Sequence, residues 1–271
     1  MKITQSSGFL LSLLKEVASG RTLPAAMQRP YVWGREDVEA LCDSIISGFP
    51  IGSFLLWSPA LPFDLKSLAK TRLGPLTAAS VDKTSRLDPY QLLLDGQNRL
   101  ATMAWMMHRD FKNVPPAAEL SVPESVTWTD GYLLVLDYET KSIRFMQARE
   151  ANQGLRLPAW TLLPTPPGTD SANSLVRHLW DGAWKDYPEA ERNAFMKVWD
   201  DAYDKFTSAR VTATYIEEAT PEEARHAFLR ICKVGVPMSK EDFDNAIGWS
   251  ARNSAETAAE KDVRRSKMLR K

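Results

Sequence analysis

Asp95-Gly96-Gln97-Asn98-Arg99 puts a carboxylate, two amides and a guanidinium within five residues, at a point where a short apolar run gives way to helical spacing. Tyr90 to Leu94 reads as a buried strand and Asp95-Gly96 as a turn, with Leu100, Met103, Ala104 and Met107 as the inward face of the next helix. The first turn of such a helix has backbone N–H groups without intrahelical acceptors, and the helix dipole adds partial positive charge, so the place suits an anion. A cation in that turn opposes the dipole by about 0.3–1 kcal/mol, so Arg99 is better explained with an anion, or the Asp95 carboxylate, beside it. For a phosphate, Gly96 would permit close backbone approach and Gln97 would bind an oxygen or orient a water. Asp95 would hold a magnesium ion or activate that water. An Asp-Gly turn whose arginine pairs locally, with no ligand, accounts for the same five residues.

A second cluster, Gln28-Arg29-Pro30-Tyr31-Val32-Trp33, sets two long polar side chains and two aromatics just before another helical pattern. An apolar account leaves Arg29 without a purpose, whereas a guanidinium clamps phosphate well. Tyr31 or Trp33 would stack on a base or ribose face, or would pack the helix that follows, with packing favoured for Trp33.

These segments need elements to hold them. Leu10, Leu13, Leu14 and Val17 fall on one face of a helix that Ser6 or Ser7 would cap and Gly20 would stop, so the N-terminus reads as an amphipathic helix. Val38, Leu41, Cys42, Ile45 and Ile46 repeat the spacing before Gly48, and Ile51 to Trp57 follows as a strand. Ser58 to Pro89 is proline-punctuated and mostly polar, an excursion suited to a lid. Gly131 to Tyr138 and Ser142 to Met146 predict a hairpin, and Pro158, Pro164, Pro166, Pro167 and Gly168 a boundary or linker. A mainly helical half follows, carrying Trp180, Trp184, Phe195, Val198, Trp199 and Tyr203. It is broken by a strand at Val211 to Ile216, and Thr220-Pro221-Glu222-Glu223 starts another helix. Of the nine tryptophans, Trp105, Trp180, Trp184 and Trp199 lie in amphipathic helices and are assigned to packing rather than to base stacking.

Composition bounds the function. With 271 residues, 44% hydrophobic and 25% charged, the chain can bury a core without disulfide or metal staples. Lys and Arg balance Asp and Glu at 34 each, which is not the balance of a protein that coats nucleic acid. Five of the cations, Arg264, Arg265, Lys267, Arg270 and Lys271, form a basic tail, leaving a body with 29 basic against 34 acidic residues. Cys42 and Cys232 imply no disulfide framework. No run approaches the roughly 20 apolar residues that span a bilayer, so a cytoplasmic protein without membrane partners is expected. His108, His178 and His226 are isolated, and no Cys/His metal spacing, Walker loop, Rossmann fingerprint or GxSxG elbow occurs.

MQRPYVW at 27–33, followed roughly sixty residues later by LLLDGQNRLATM at 92–103, resembles the N-terminal domain of the GmrSD family of modification-dependent restriction enzymes, whose usual motifs are QRxYVW and DGQQR. Phe228-Leu229-Arg230-Ile231-Cys232-Lys233-Val234-Gly235-Val236-Pro237-Met238-Ser239 is similar to a third family segment, F-x-R-[IL]-N-x-x-G-x-P-[LM]-S. The resemblance implies an α+β fold: a ParB/sulfiredoxin-like core of short mixed strands and helices at 1–155, completed by the mainly helical region at 156–271. It also implies binding and hydrolysis of a nucleoside triphosphate with Mg2+, in the service of antiphage DNA restriction. Carried over by position, Asp95, Gln97 and Arg99 take catalytic roles, with Asp95 also at the metal. Gln28, Arg29, Tyr31, Gly96, Asn98 and Arg230 take nucleotide-binding ones. Asn98 keeps an amide but shortens the usual second glutamine, and Cys232 replaces an asparagine, exchanging a donor and acceptor for a weak thiol. The HNH nuclease domain of cleaving members needs clustered His and Asn that this chain does not supply. The expectation is therefore a regulatory or sensor domain working with a nuclease domain or subunit in trans. A module that reads modified DNA without hydrolysis, and a silent interaction or immunity protein, remain open alternatives.

Overall fold

Apolar runs buried on both faces make the central strands of this protein. The computed structural model describes residues 1–18, 20–25, 31, 33–59, 65, 68, 69, 90–107, 132–151, 153–164 and 172–233. Within them β3 (Ser53–Ser58) and β4 (Gln91–Asp95) each bury four consecutive side chains, the pattern of inner strands covered on both sides. They sit in a five-stranded mixed sheet of order β1-β8-β3-β4-β2, with β1 at Lys2–Phe9, β2 at Thr22–Pro24 and β8 at Arg210–Glu217. β1 and β8 are antiparallel, β8 and β3 parallel, β3 and β4 antiparallel, and β4 and β2 parallel. One edge of the sheet therefore gathers the C-terminal ends of β1, β2 and β4 with the N-terminal ends of β3 and β8.

A smaller antiparallel sheet, β6-β5-β7, is built from β5 (Tyr132–Asp137), β6 (Ser142–Gln147) and β7 (Arg156–Pro158). Its hinge of polarity is Asp137, 1% exposed, which accepts hydrogen bonds from Arg144 at 2.7 Å, Arg156 at 2.9 Å and Thr140 at 2.9 Å. Burial alone would raise the Asp137 pKa. The bonds from Thr140 and Arg156 and the two guanidinium charges outweigh it and hold the carboxyl below its ordinary value.

Helices α1 (Leu10–Ala18), α2 (Arg35–Ile46), α3 (Gln97–Met107), α4 (Ala148–Ala151), α5 (Ala172–Asp181), α6 (Glu189–Ser208) and α7 (Pro221–Lys233) complete the described residues, which makes the chain α+β as the sequence predicts. Leu10, Leu13, Leu14 and Val17 of α1 are buried together with Leu100 and Met103 of α3 and Phe206 of α6, and the tryptophans Trp105, Trp184 and Trp199 join the same core. α1 stops as predicted at Gly20, where Gly20 N–H bonds the Val17 carbonyl and Arg21 N–H the Glu16 carbonyl. At α7 the predicted start is a capping box. Glu223 N–H donates to Thr220 Oγ1 at 3.2 Å, and Thr220 N–H donates to Glu223 Oε2 at 2.8 Å.

Two expectations change, and one strand falls where the sequence predicts it. The first nine residues are not the start of an amphipathic helix. Ser6 and Ser7 lie inside β1, and pairing with β8 some 200 residues away wins over local capping. The strand expected at Val211 to Ile216 forms as β8, and it sits between β1 and β3. Pro158 is the last residue of β7, with Ala159, Leu162 and Leu163 buried after it. The lid at 60–89, apart from Leu65, Leu68 and Ala69, the linker at 165–171, His108 and the basic tail lie outside the described residues. By compactness the chain divides into Met1–Phe228 and Leu229–Lys271, and of the second unit only 229–233 are described.

Candidate functional site

The Asp95–Arg99 turn forms because a run of four buried residues in β4 ends at an exposed aspartate, and the chain must reverse into α3 within one residue. Gly96 makes the reversal at φ +97°, a left-handed conformation that side chains disfavour. A Cβ there would sit 2.3 Å from Cδ1 of Phe54, so the group that comes close to Gly96 is the buried Phe54 ring of β3. Among the described residues no side chain caps the first N–H groups of α3.

Arg99 does not stand free. Its Nη1 donates to the Ile51 carbonyl at 2.7 Å and its Nη2 to the Ser53 carbonyl at 2.8 Å, while its guanidinium lies 4.7 Å over the Phe54 ring. Asp95 Oδ2 is 3.6 Å from Nη2, an ion pair rather than a hydrogen bond, with the arginine side chain 17% and the aspartate 53% exposed. Burial lowers the Arg99 pKa and Asp95 opposes that shift; the guanidinium remains charged. Gly52 closes this staple. At φ +85° it has no side chain, and a Cβ would fall 2.3 Å from Arg99 Nη1. Two of its five donors are thus committed to backbone carbonyls.

Gln97 is the polar residue without a structural task. It is 7% exposed, and its Oε1 is buried with no hydrogen-bond partner among the described residues. An orphaned buried acceptor costs about 1–3 kcal/mol, and a donor such as a water or a ligand O–H relieves it.

Tyr31 lies on the flank of α3, 1% exposed, its hydroxyl 2.8 Å from Thr102 Oγ1, which in turn donates to the Asn98 carbonyl at 2.9 Å. Burial pushes the Tyr31 phenol well above its ordinary value, only partly offset by that bond. The ring is core packing, so it offers no face to a base. Trp33 is partly buried against the same core. Gln28 and Arg29 lie outside the described residues, and the nearest described residues in the sequence are Ala25 and Tyr31. Ala25 N–H bonds the Leu93 carbonyl at 3.0 Å beside β4, and Tyr31 is tied to α3. Asn98 is half-buried. Arg230 is exposed on α7, in the second unit.

The sequence reading missed Phe54, Gly52 and the Ile51 and Ser53 carbonyls. Gly52 ahead of an apolar run was the one local signal for them. A further cavity of about 390 Å3 is lined by Ser7, Phe49, Ile51, Lys205, Arg210 and Thr212, among others, at the edge where β3 and β8 begin.

For a metal, no group of three or more His, Cys, Asp or Glu side chains comes together among the described residues. A single half-exposed carboxylate, Asp95, fits a magnesium ion carried by a polyphosphate and holding most of its own waters, not a protein-caged ion. Among the described residues no helix is long and apolar enough to cross a membrane.

No curated protein matches the chain. A family model does, that of the GmrSD restriction endonuclease N-terminal domain, over residues 10–247, taking in both β sheets from α1 onward and the Asp95–Arg99 turn. The chain belongs to the GmrSD restriction endonuclease N-terminal domain family and is thus a component of a restriction, antiphage defence system.

Proposed function

We propose that this chain is a regulatory domain that binds, and hydrolyses, a nucleoside triphosphate at the N-terminal mouth of α3. The observation that carries the reading is the parallel pairing of β2 with β4, Pro24 opposite Leu93. Because the strands are neighbours and run the same way, β2, which precedes Gln28 and Arg29 in the sequence, and β4, which precedes the Asp95–Arg99 turn, end at the same edge of the sheet. That is where open sheets take their ligands. The unpartnered Gln97 Oε1 supports it from the side of chemistry, since an acceptor buried near free amides suits a water aimed at a phosphorus.

In this reading the α3 amides and Arg29 take phosphate oxygens. Arg99 has a double duty, fixing Ile51 and Ser53 through two bonds while its charge faces the mouth. Gln97 accepts a hydrogen bond from the attacking water. Asn98 remains a candidate ligand contact, and Asp95 would hold Mg2+, which when bound neutralises developing phosphate charge. A nuclease domain or subunit acts in trans, with nucleotide state controlling it.

The test is release of phosphate from GTP, ATP and CTP by the full chain, with and without magnesium. Turnover of at least one is expected, lost in Gln97→Leu, while a chain that neither binds nor hydrolyses any of them refutes the reading. A second reading, a module that holds DNA without hydrolysis, is favoured by the cavity at Lys205 and Arg210, two cations that form no ion pair among the described residues. It separates by salt. DNA binding would weaken steeply with ionic strength, whereas triphosphate binding would respond to magnesium at fixed salt.

A further inference from the structure

We propose that two copies of this chain join through their β1 edges, in an antiparallel ladder centred on Ser6. β1 is an outer strand of the five-stranded sheet, eight residues long, and among the described residues nothing pairs with its free side. Such an edge, long and without proline, is an open template that proteins ordinarily blunt or fill. β1 has neither face buried. Ile3 is 56% and Phe9 47% exposed.

The register of the existing pair decides which groups are free. Phe9 stands opposite Arg210, and Leu10 N–H bonds the Ala209 carbonyl at 2.8 Å, so the even-numbered residues of β1 turn their N–H and C=O groups toward β8. The odd ones, Ile3, Gln5, Ser7 and Phe9, turn theirs outward. A two-fold axis normal to the sheet at Ser6 then sets Ile3 opposite Phe9 of the second copy and Gln5 opposite Ser7, each a hydrogen-bonded pair with both partners outward. The same register makes the side chains agree. On one face the two exposed apolar residues meet twice, Ile3 with Phe9 and Phe9 with Ile3. On the other, Thr4 meets Gly8, and Ser6 meets Ser6 in the non-hydrogen-bonded spacing where side chains are closest. The strand's only charge, Lys2, is paired with Glu217 at 3.6 Å and falls opposite Leu10 of the second copy, so no like charges oppose. Both the free backbone and the apolar pairs select a second copy of this strand as the occupant.

The full chain, analysed by sedimentation over a concentration series, is expected to show twice its 30.5 kDa mass at the higher concentrations. Gln5→Pro removes an outward donor while leaving every β1–β8 backbone hydrogen bond in place, losing only the exposed side-chain bond from Gln5 Nε2 to Thr214 Oγ1, and should return the mass to that of one chain with unchanged circular dichroism. Ser6→Cys tests the register without weakening the strand. Under mild oxidation it should give a disulfide-linked dimer at least ten times faster than Thr4→Cys, whose neighbour in the ladder is Gly8. A single-chain mass at every concentration assigns the edge to another occupant and overturns the proposal. A dimer that survives Gln5→Pro, or equal cross-linking of the two cysteine variants, also overturns it.

Discussion

The residues at the α3 mouth divide by what their surroundings ask of them. Gly96 is fixed by packing, since its φ of +97° and the Phe54 ring 2.3 Å from any Cβ leave room for no other residue. Gly96→Ala should cost about 2–3 kcal/mol in urea unfolding, combining backbone strain with displacement of a buried ring. Arg99 is fixed by two carbonyls, and Arg99→Ala should lose about 1.5–3 kcal/mol, the range for hydrogen bonds to a charged group. Gln97 behaves oppositely. Since its Oε1 has no partner among the described residues, Gln97→Leu should leave stability unchanged or raise it by about 1 kcal/mol while abolishing phosphate release. Stability and activity moving in different directions is the mark of a functional side chain. The strand, turn and helix that carry these residues were legible in the sequence, because Asp-Gly between an apolar run and helical spacing marks a turn. The partners of Arg99 were not, because Ile51 and Ser53 lie 48 and 46 residues earlier and nothing local ties them to it.

Among elements, legibility followed the range of the interactions that make them. α2 and α7 carry their faces and boundaries in the local sequence, and the Thr220–Glu223 box formed where the residues predicted it. β1 carries no such signal. KITQSSGF is mostly polar, and its conformation comes from β8. The small sheet offers a prediction of its own, for Asp137 has a folded pKa below its ordinary value. A depressed carboxyl contributes stability that is fully present above the unfolded pKa, about 3.9, and is lost as pH falls through the folded value. Asp137→Asn should therefore be destabilised relative to the native chain at pH 7, by about 3 kcal/mol, because two guanidinium groups lose their shared carboxylate. The gap should narrow as pH falls below about 4, measured by urea unfolding across pH.

For the whole molecule, one sheet edge organises the proposed nucleotide site. It collects the ends of β2 and β4, the Arg99 staple at the start of β3, and the Lys205–Arg210 cavity at the start of β8. The chain belongs to a restriction endonuclease family, and in the proposed function that edge would convert nucleotide state into control of a nuclease. Hydrogen–deuterium exchange on the full chain, with and without a magnesium triphosphate, measures whether two distant segments close on one ligand there. Slowed exchange in peptides covering both 26–31 and 95–100, with the β5–β6 hairpin unaffected, is the predicted result. Unchanged exchange at 95–100 in the presence of a nucleotide the chain demonstrably binds would contradict it.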